Sequence, residues 1–126
     1  MGARIFLVLE ALVWLPYGIY CFIDPAYLAG AAGVAFVTPT GSTELGAMYG
    51  GLQAALGALA VSGALRESMT RSALIVLAFL CTGLGSTRLL GVLRYGGLSA
   101  YTAAGLVFEV ASATLAMRFL RHAATR

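Results

Sequence analysis

SALIVLAFLCTGLGSTRLLGVL, residues Ser72–Leu93, is a run of 22 residues with one charge, Arg88. A helix needs about 20 apolar residues to cross about 30 Å of hydrocarbon, so the run reads as a membrane span. Three more runs are of the same kind: Ile5–Ile23, Leu45–Leu65 and Leu98–Met117, of 19, 21 and 20 residues. The rest of the chain agrees. Of 126 residues 60% are hydrophobic and 10% charged, against about a quarter charged in ordinary soluble domains. A net charge of +3 carried by eight arginines and no lysine does not point to nucleic acid here. The arginines stand between and beyond the apolar runs, where they set topology against anionic lipid.

The expected fold is therefore all-α, a single four-transmembrane-helix bundle over residues 1–126 with an outer loop at 24–44. The first run is a retained span rather than a signal peptide, being too long for a signal core and lacking a small-x-small cleavage site before Asp24-Pro25. Asp24-Pro25 stops that helix, and Gly41-Ser42-Thr43-Glu44 offers caps for the second. Arg66–Arg71 reads as a polar turn, and Tyr95-Gly96-Gly97 joins the last two helices. Such short connections make consecutive helices antiparallel neighbours. One side of the bundle holds Arg4, Arg66, Arg71, Arg118, Arg121 and Arg126; the other holds Arg94 and, counted generously, Arg88. This asymmetry predicts a multi-pass protein of the plasma membrane with both termini in the cytoplasm. The stretch Leu28–Val37 is apolar but too short to cross, and is expected in the interface or folded back on the bundle.

Sixteen glycines suit a bundle in lipid, where small residues let helix backbones approach. Gly46-x-x-x-Gly50 and Ala47-x-x-x-Gly51 lie on the second run, with Gly57 continuing one stripe, and Gly105 lies on the fourth. Helix packing is the first reading of these glycines. A homo-oligomer face or a contact with a membrane partner protein is the second.

The informative residues are the ionisable ones inside the spans, which cost about 2.5–3.5 kcal/mol each on insertion scales and so face the interior with a partner. Side chains lean toward the N-terminus of their helix, so Arg88 and Glu109, on antiparallel helices, lean toward each other in depth. Their helix positions differ by about 9 Å along the bundle axis, a gap that two extended side chains largely close. Glu44, at the outer start of the second helix, is a second acid for Arg88. A Glu44–Arg88–Glu109 cluster in the outer half is expected, because one guanidinium can serve two carboxylates. Glu10 has no arginine at its depth, unless Arg4, Arg71 or Arg118 curls in. It shares a face with Phe6, Trp14 and Tyr17, and is a possible proton site. Tyr49 and Gln53, one turn apart, form another polar face on the second helix. Pro16 is expected to kink the first helix, and Tyr20, Tyr27, Tyr95 and Tyr101 to form an outer aromatic belt. Cys21 and Cys81 differ too much in depth to pair, and the lone His122 sits in the tail, so no metal or cofactor is expected. There is no nucleotide-binding loop or nucleophile elbow either.

The run Glu44-x-x-Ala47-x-Tyr49-Gly50-Gly51, with Thr87-Arg88-Leu89-Leu90-Gly91 and Glu109, resembles a bacterial four-helix membrane family of unknown function. In size and layout that family is similar to DoxX-like membrane proteins. The resemblance covers roughly residues 40–115 and implies an inner-membrane bundle without an established activity. The family pattern often carries a basic residue where this chain has Gly46, and its loss favours Arg88 as the partner of Glu44. The expectation is thus a non-enzymatic membrane protein. Its Glu44, Tyr49, Arg88 and Glu109 would organise the bundle and shape a polar cavity for a lipid or small amphiphile. The alternatives are a proton-coupled transporter using Glu10 or Glu109, and an accessory subunit of a larger membrane complex.

Overall fold

A computed structural model describes residues 1–124 and is helical almost throughout. Helix α1 spans Gly2–Ile23 and runs on through Pro16. Asp24 ends it, donating its N–H to the Tyr20 carbonyl at 2.9 Å, and Pro25 forbids continuation. Short α2, Tyr27–Ala32, ends on Gly33, whose φ of 69° is a left-handed cap. It folds back on the bundle against α6, with Leu28 wholly buried. Beyond it Val34 bonds back to the Leu28 carbonyl, and Ala35, Phe36 and Val37 are exposed.

α3 spans Pro39–Leu45, passes into a π-helical stretch at Gly46–Gly51, and continues as α4, Leu52–Leu65. The three form one rod from Pro39 to Leu65. The rod starts six residues earlier than hydropathy alone suggests. Its cap is Thr38, whose hydroxyl accepts from the Gly41 N–H at 3.1 Å, with Pro39 in the first turn where a missing N–H costs nothing. α5 spans Glu67–Tyr95 and α6 Ala100–Ala124. The expected polar turn at 66–71 shrinks to the single extended residue Arg66, because Glu67 opens α5 with an acid in its first turn. Thr70 ties the corner by donating to the Gly63 carbonyl at 2.8 Å. At the other end Gly96 and Gly97 take φ of 74° and 72°, which reverses the chain into α6.

Four helices, Gly2–Ile23, Pro39–Leu65, Glu67–Tyr95 and Ala100–His122, are long and apolar enough to cross a membrane, as in a multi-pass membrane protein. They alternate in direction. One end of the bundle therefore carries the N-terminus, the α4–α5 corner and the end of α6; the other carries residues 24–38 and the α5–α6 turn. The first end holds Arg4, Arg66, Arg71, Arg118 and Arg121, and the second Arg94. Arg126 lies outside the described residues. Outward faces are apolar: Phe79 is 78% exposed and Val107 70%. α1 packs chiefly on α4, and α5 on α6.

The dry core occupies the terminal half. It is built from Phe6, Leu7, Ala11 and Trp14 of α1, Leu56 and Ala60 of α4, Ala73, Leu74, Leu77, Ala78 and Cys81 of α5, and Ala113 and Ala116 of α6. Glycine sets the α1–α4 spacing. A Cβ on Gly18 would fall within the backbone of Gln53 and Ala54, and one on Gly57 within that of Leu15. Gly50 lies under Phe22 in the same way. Gly50 and Gly57 are thus spent on contact within the chain. Gly46 and Gly51 are not: a Cβ on Gly46 meets nothing, and one on Gly51 meets only its own helix. The reason is that α1 stops at Ile23, near the level of Gly50, and does not reach the space in front of Gly46.

Candidate functional site

The loop half of the bundle, between the same four helices, is hollow. A cavity of about 510 Å³ opens there, within the common range for small-molecule sites of about 300–1,000 Å³. Trp14, Leu56, Leu80 and Phe108 form its apolar floor toward the core, and Trp14 packs on Phe108 with ring centroids 5.6 Å apart. Tyr17, Tyr49, Gln53, Arg88, Tyr101 and Glu109 supply its polar wall.

Arg88 and Glu109 form a two-point ion pair across α5 and α6. Nε donates to Oε2 at 3.0 Å and Nη2 to Oε1 at 2.7 Å. The Glu109 side chain is 4% exposed and that of Arg88 27%. Two glycines make room for the pair. A Cβ on Gly105, one turn before Glu109, would stand 3.0 Å from the guanidinium carbon. One on Gly85, three residues before Arg88, would stand 3.5 Å from the Glu109 Cβ. Each charged side chain therefore lies over the other helix's glycine; a Cβ at Gly105 would crowd the guanidinium, whereas one at Gly85 would only touch Glu109. Gly105 was expected as a packing residue between helices; what it packs against is the guanidinium.

Glu44 stays out of this pair. It is exposed, about one turn of helix beyond Met48 at the cavity rim. Water there solvates a carboxylate fully, so nothing draws Arg88 to it, whereas Glu109 is buried and has the guanidinium as its cationic partner. The three-membered cluster expected from sequence is, among the described residues, a two-membered one. Tyr49 lines the cavity from the π-helical stretch and Gln53 from α4. Tyr101, expected in the aromatic belt, is instead turned inward, and its hydroxyl bonds that of Tyr17 across the sparse α1–α6 seam. Neither bond partner was visible in the sequence, since Tyr17 and Tyr101 are 84 residues apart. Tyr20, Tyr27 and Tyr95 do lie exposed toward the loop end, with Tyr20 and Tyr27 edge to face at 5.0 Å.

Glu10 lies in the other half, inside the core and 4% exposed. Its two oxygens accept from different neutral donors: Oε2 from the Trp14 indole at 2.9 Å, and Oε1 from the Ser112 hydroxyl at 2.7 Å. Among the described residues none of Arg4, Arg71 and Arg118 curls in to it. Arg4 pairs instead with exposed Glu67 at 3.2 Å, where both groups keep their water. Trp14 joins the two polar sites, because its N–H holds Glu10 while its ring lines the cavity. Cys21 and Cys81 are both buried and unpaired with each other.

No curated protein and no solved structure matches the chain. Residues 2–120, which hold the cavity, the ion pair and all of the four membrane-competent helices but the end of the last, match the domain of unknown function DUF4345, and the chain belongs to that family.

Proposed function

We propose that the protein is a non-enzymatic membrane protein that holds a lipid or small amphiphile in the cavity between its four spans. The observation that carries this reading is the cavity itself: apolar below, polar above, and walled by an ion pair that would be costly if it only held the bundle together. A buried charge pair is on average no better for stability than well-packed apolar residues, so its presence on a cavity wall favours a binding role. On the same reading the arginine-rich end faces the cytoplasm of a bacterial inner membrane, with both termini inside, in a layout like that of DoxX-type proteins. Its partners are then the bilayer, the bound amphiphile and, where Gly46 leaves an open face, a second copy or another membrane protein. Glu44 contributes at the rim, beside the mouth rather than in the wall.

Mass spectrometry of material co-purifying with the protein tests the proposal. The native chain should retain an amphiphile that Ala104→Phe, which fills the cavity wall, releases. Equal retention by the two would refute it. A second reading, proton-coupled transport, is favoured by one observation: Trp14 touches both Glu10 and the cavity, so a proton on Glu10 and a ligand in the cavity would act on one side chain. Glu10→Gln would then abolish any proton dependence of ligand binding and leave binding itself in place.

A further inference from the structure

We infer that the cavity selects an uncharged amphiphile whose head accepts hydrogen bonds, such as an alcohol, ester or ketone, in preference to an anionic or cationic one. The inference rests on the binding role proposed above and names the ligand class of that site.

The charges on the cavity wall cancel. Among the described residues Arg88 and Glu109 are the only charged ones that line it, and they are joined at two points. The remaining polar groups there, the hydroxyls of Tyr17, Tyr49 and Tyr101 and the Gln53 amide, are neutral. A carboxylate or phosphate on Arg88 would leave the site with a net negative charge between apolar walls, and nothing on the wall compensates it. An amine beside Glu109 would leave a net positive one. Burying an unbalanced charge is the expensive case, and a neutral head avoids it.

Donors are nonetheless available. Glu109 takes one N–H of Nε and one of Nη2, and a guanidinium has five. No bond to Nη1 is present among the described residues, so Arg88 keeps charge-assisted donors for a neutral oxygen without giving up Glu109. The apolar floor at Leu56, Leu80 and Phe108 then takes the hydrocarbon tail, and Trp14, the one tryptophan, sits beside it.

The test uses the full chain in phosphatidylcholine nanodiscs. Trp14 fluorescence is quenched with terminally brominated decanol, decyl sulfate and decyltrimethylammonium, compared at equal mole fraction in the bilayer. Decanol should reach half-saturation at a concentration about tenfold below either ion, a difference of about 1.4 kcal/mol. Glu109→Gln, which keeps the shape and removes the negative charge, should move the preference to decyl sulfate. Native protein that binds decyl sulfate or the ammonium probe as tightly as decanol overturns the inference while leaving the binding role standing. No saturable quenching by any probe overturns the binding role itself. Should the Gln variant fail to fold, the order of the three probes on the native chain still decides.

Discussion

The two halves of this bundle hold a buried glutamate each and treat it differently. Near the termini, Glu10 is enclosed by close-packed side chains and accepts from two neutral donors, Trp14 and Ser112. In the loop half, Glu109 is bound at two points by a guanidinium on the wall of a cavity. The contrast shows that burying a carboxyl does not require a cation; supplying one takes space. The guanidinium lies against Gly105, where a Cβ would crowd it, and a hollow remains beside the pair. Polar satisfaction and close packing coincide in the first half and are separated in the second.

The sharpest way to break this comparison is to remove the cation. Arg88→Met leaves Glu109 buried with its charge uncompensated and should cost about 3–5 kcal/mol, read from unfolding in mixed detergent micelles. Arg88→Met with Glu109→Met should recover most of that loss. A double variant as unstable as the single one would show that the two residues do not act as a unit. The next largest effect tests the closed seam against the open one. Gly57→Leu drives a side chain into the backbone of α1 and should cost about 3 kcal/mol, while Gly46→Leu, facing nothing, should stay within about 0.5 kcal/mol.

Smaller effects belong to neutral and exposed partners. Ser112→Ala removes one of the two donors to Glu10 and should cost about 1 kcal/mol, well under the Arg88 loss, because a single hydrogen bond from a hydroxyl in a membrane protein is modest. A loss equal to that of Arg88→Met would erase the distinction between the halves. Arg4→Ala breaks an exposed ion pair with Glu67 and should change stability by no more than about 0.5 kcal/mol, with the difference vanishing at high salt.

Much of this was legible in the residues. The spans follow from hydropathy, and the meeting of Arg88 with Glu109 follows from depth and the lean of side chains on antiparallel helices. Helix ends were less legible: Thr38 and Pro39 start a helix that hydropathy places at Leu45, because capping acts through backbone N–H groups and not through apolarity. The exclusion of Glu44 was not legible at all, since it depends on where α3 meets water. Nor was Gly85 singled out as a site residue, although a glycine three residues before an intramembrane arginine was the available signal.

Sequence alone determined that the chain is helical, with four segments apolar enough to cross a membrane and a few charges inside them, because transfer from water to hydrocarbon is priced residue by residue. Only the tertiary structure decided that Tyr17 meets Tyr101, that Glu10 meets Ser112, and that a cavity lies above a solid core. Those outcomes depend on volume and distance between helices, which become defined only when four spans share one interior.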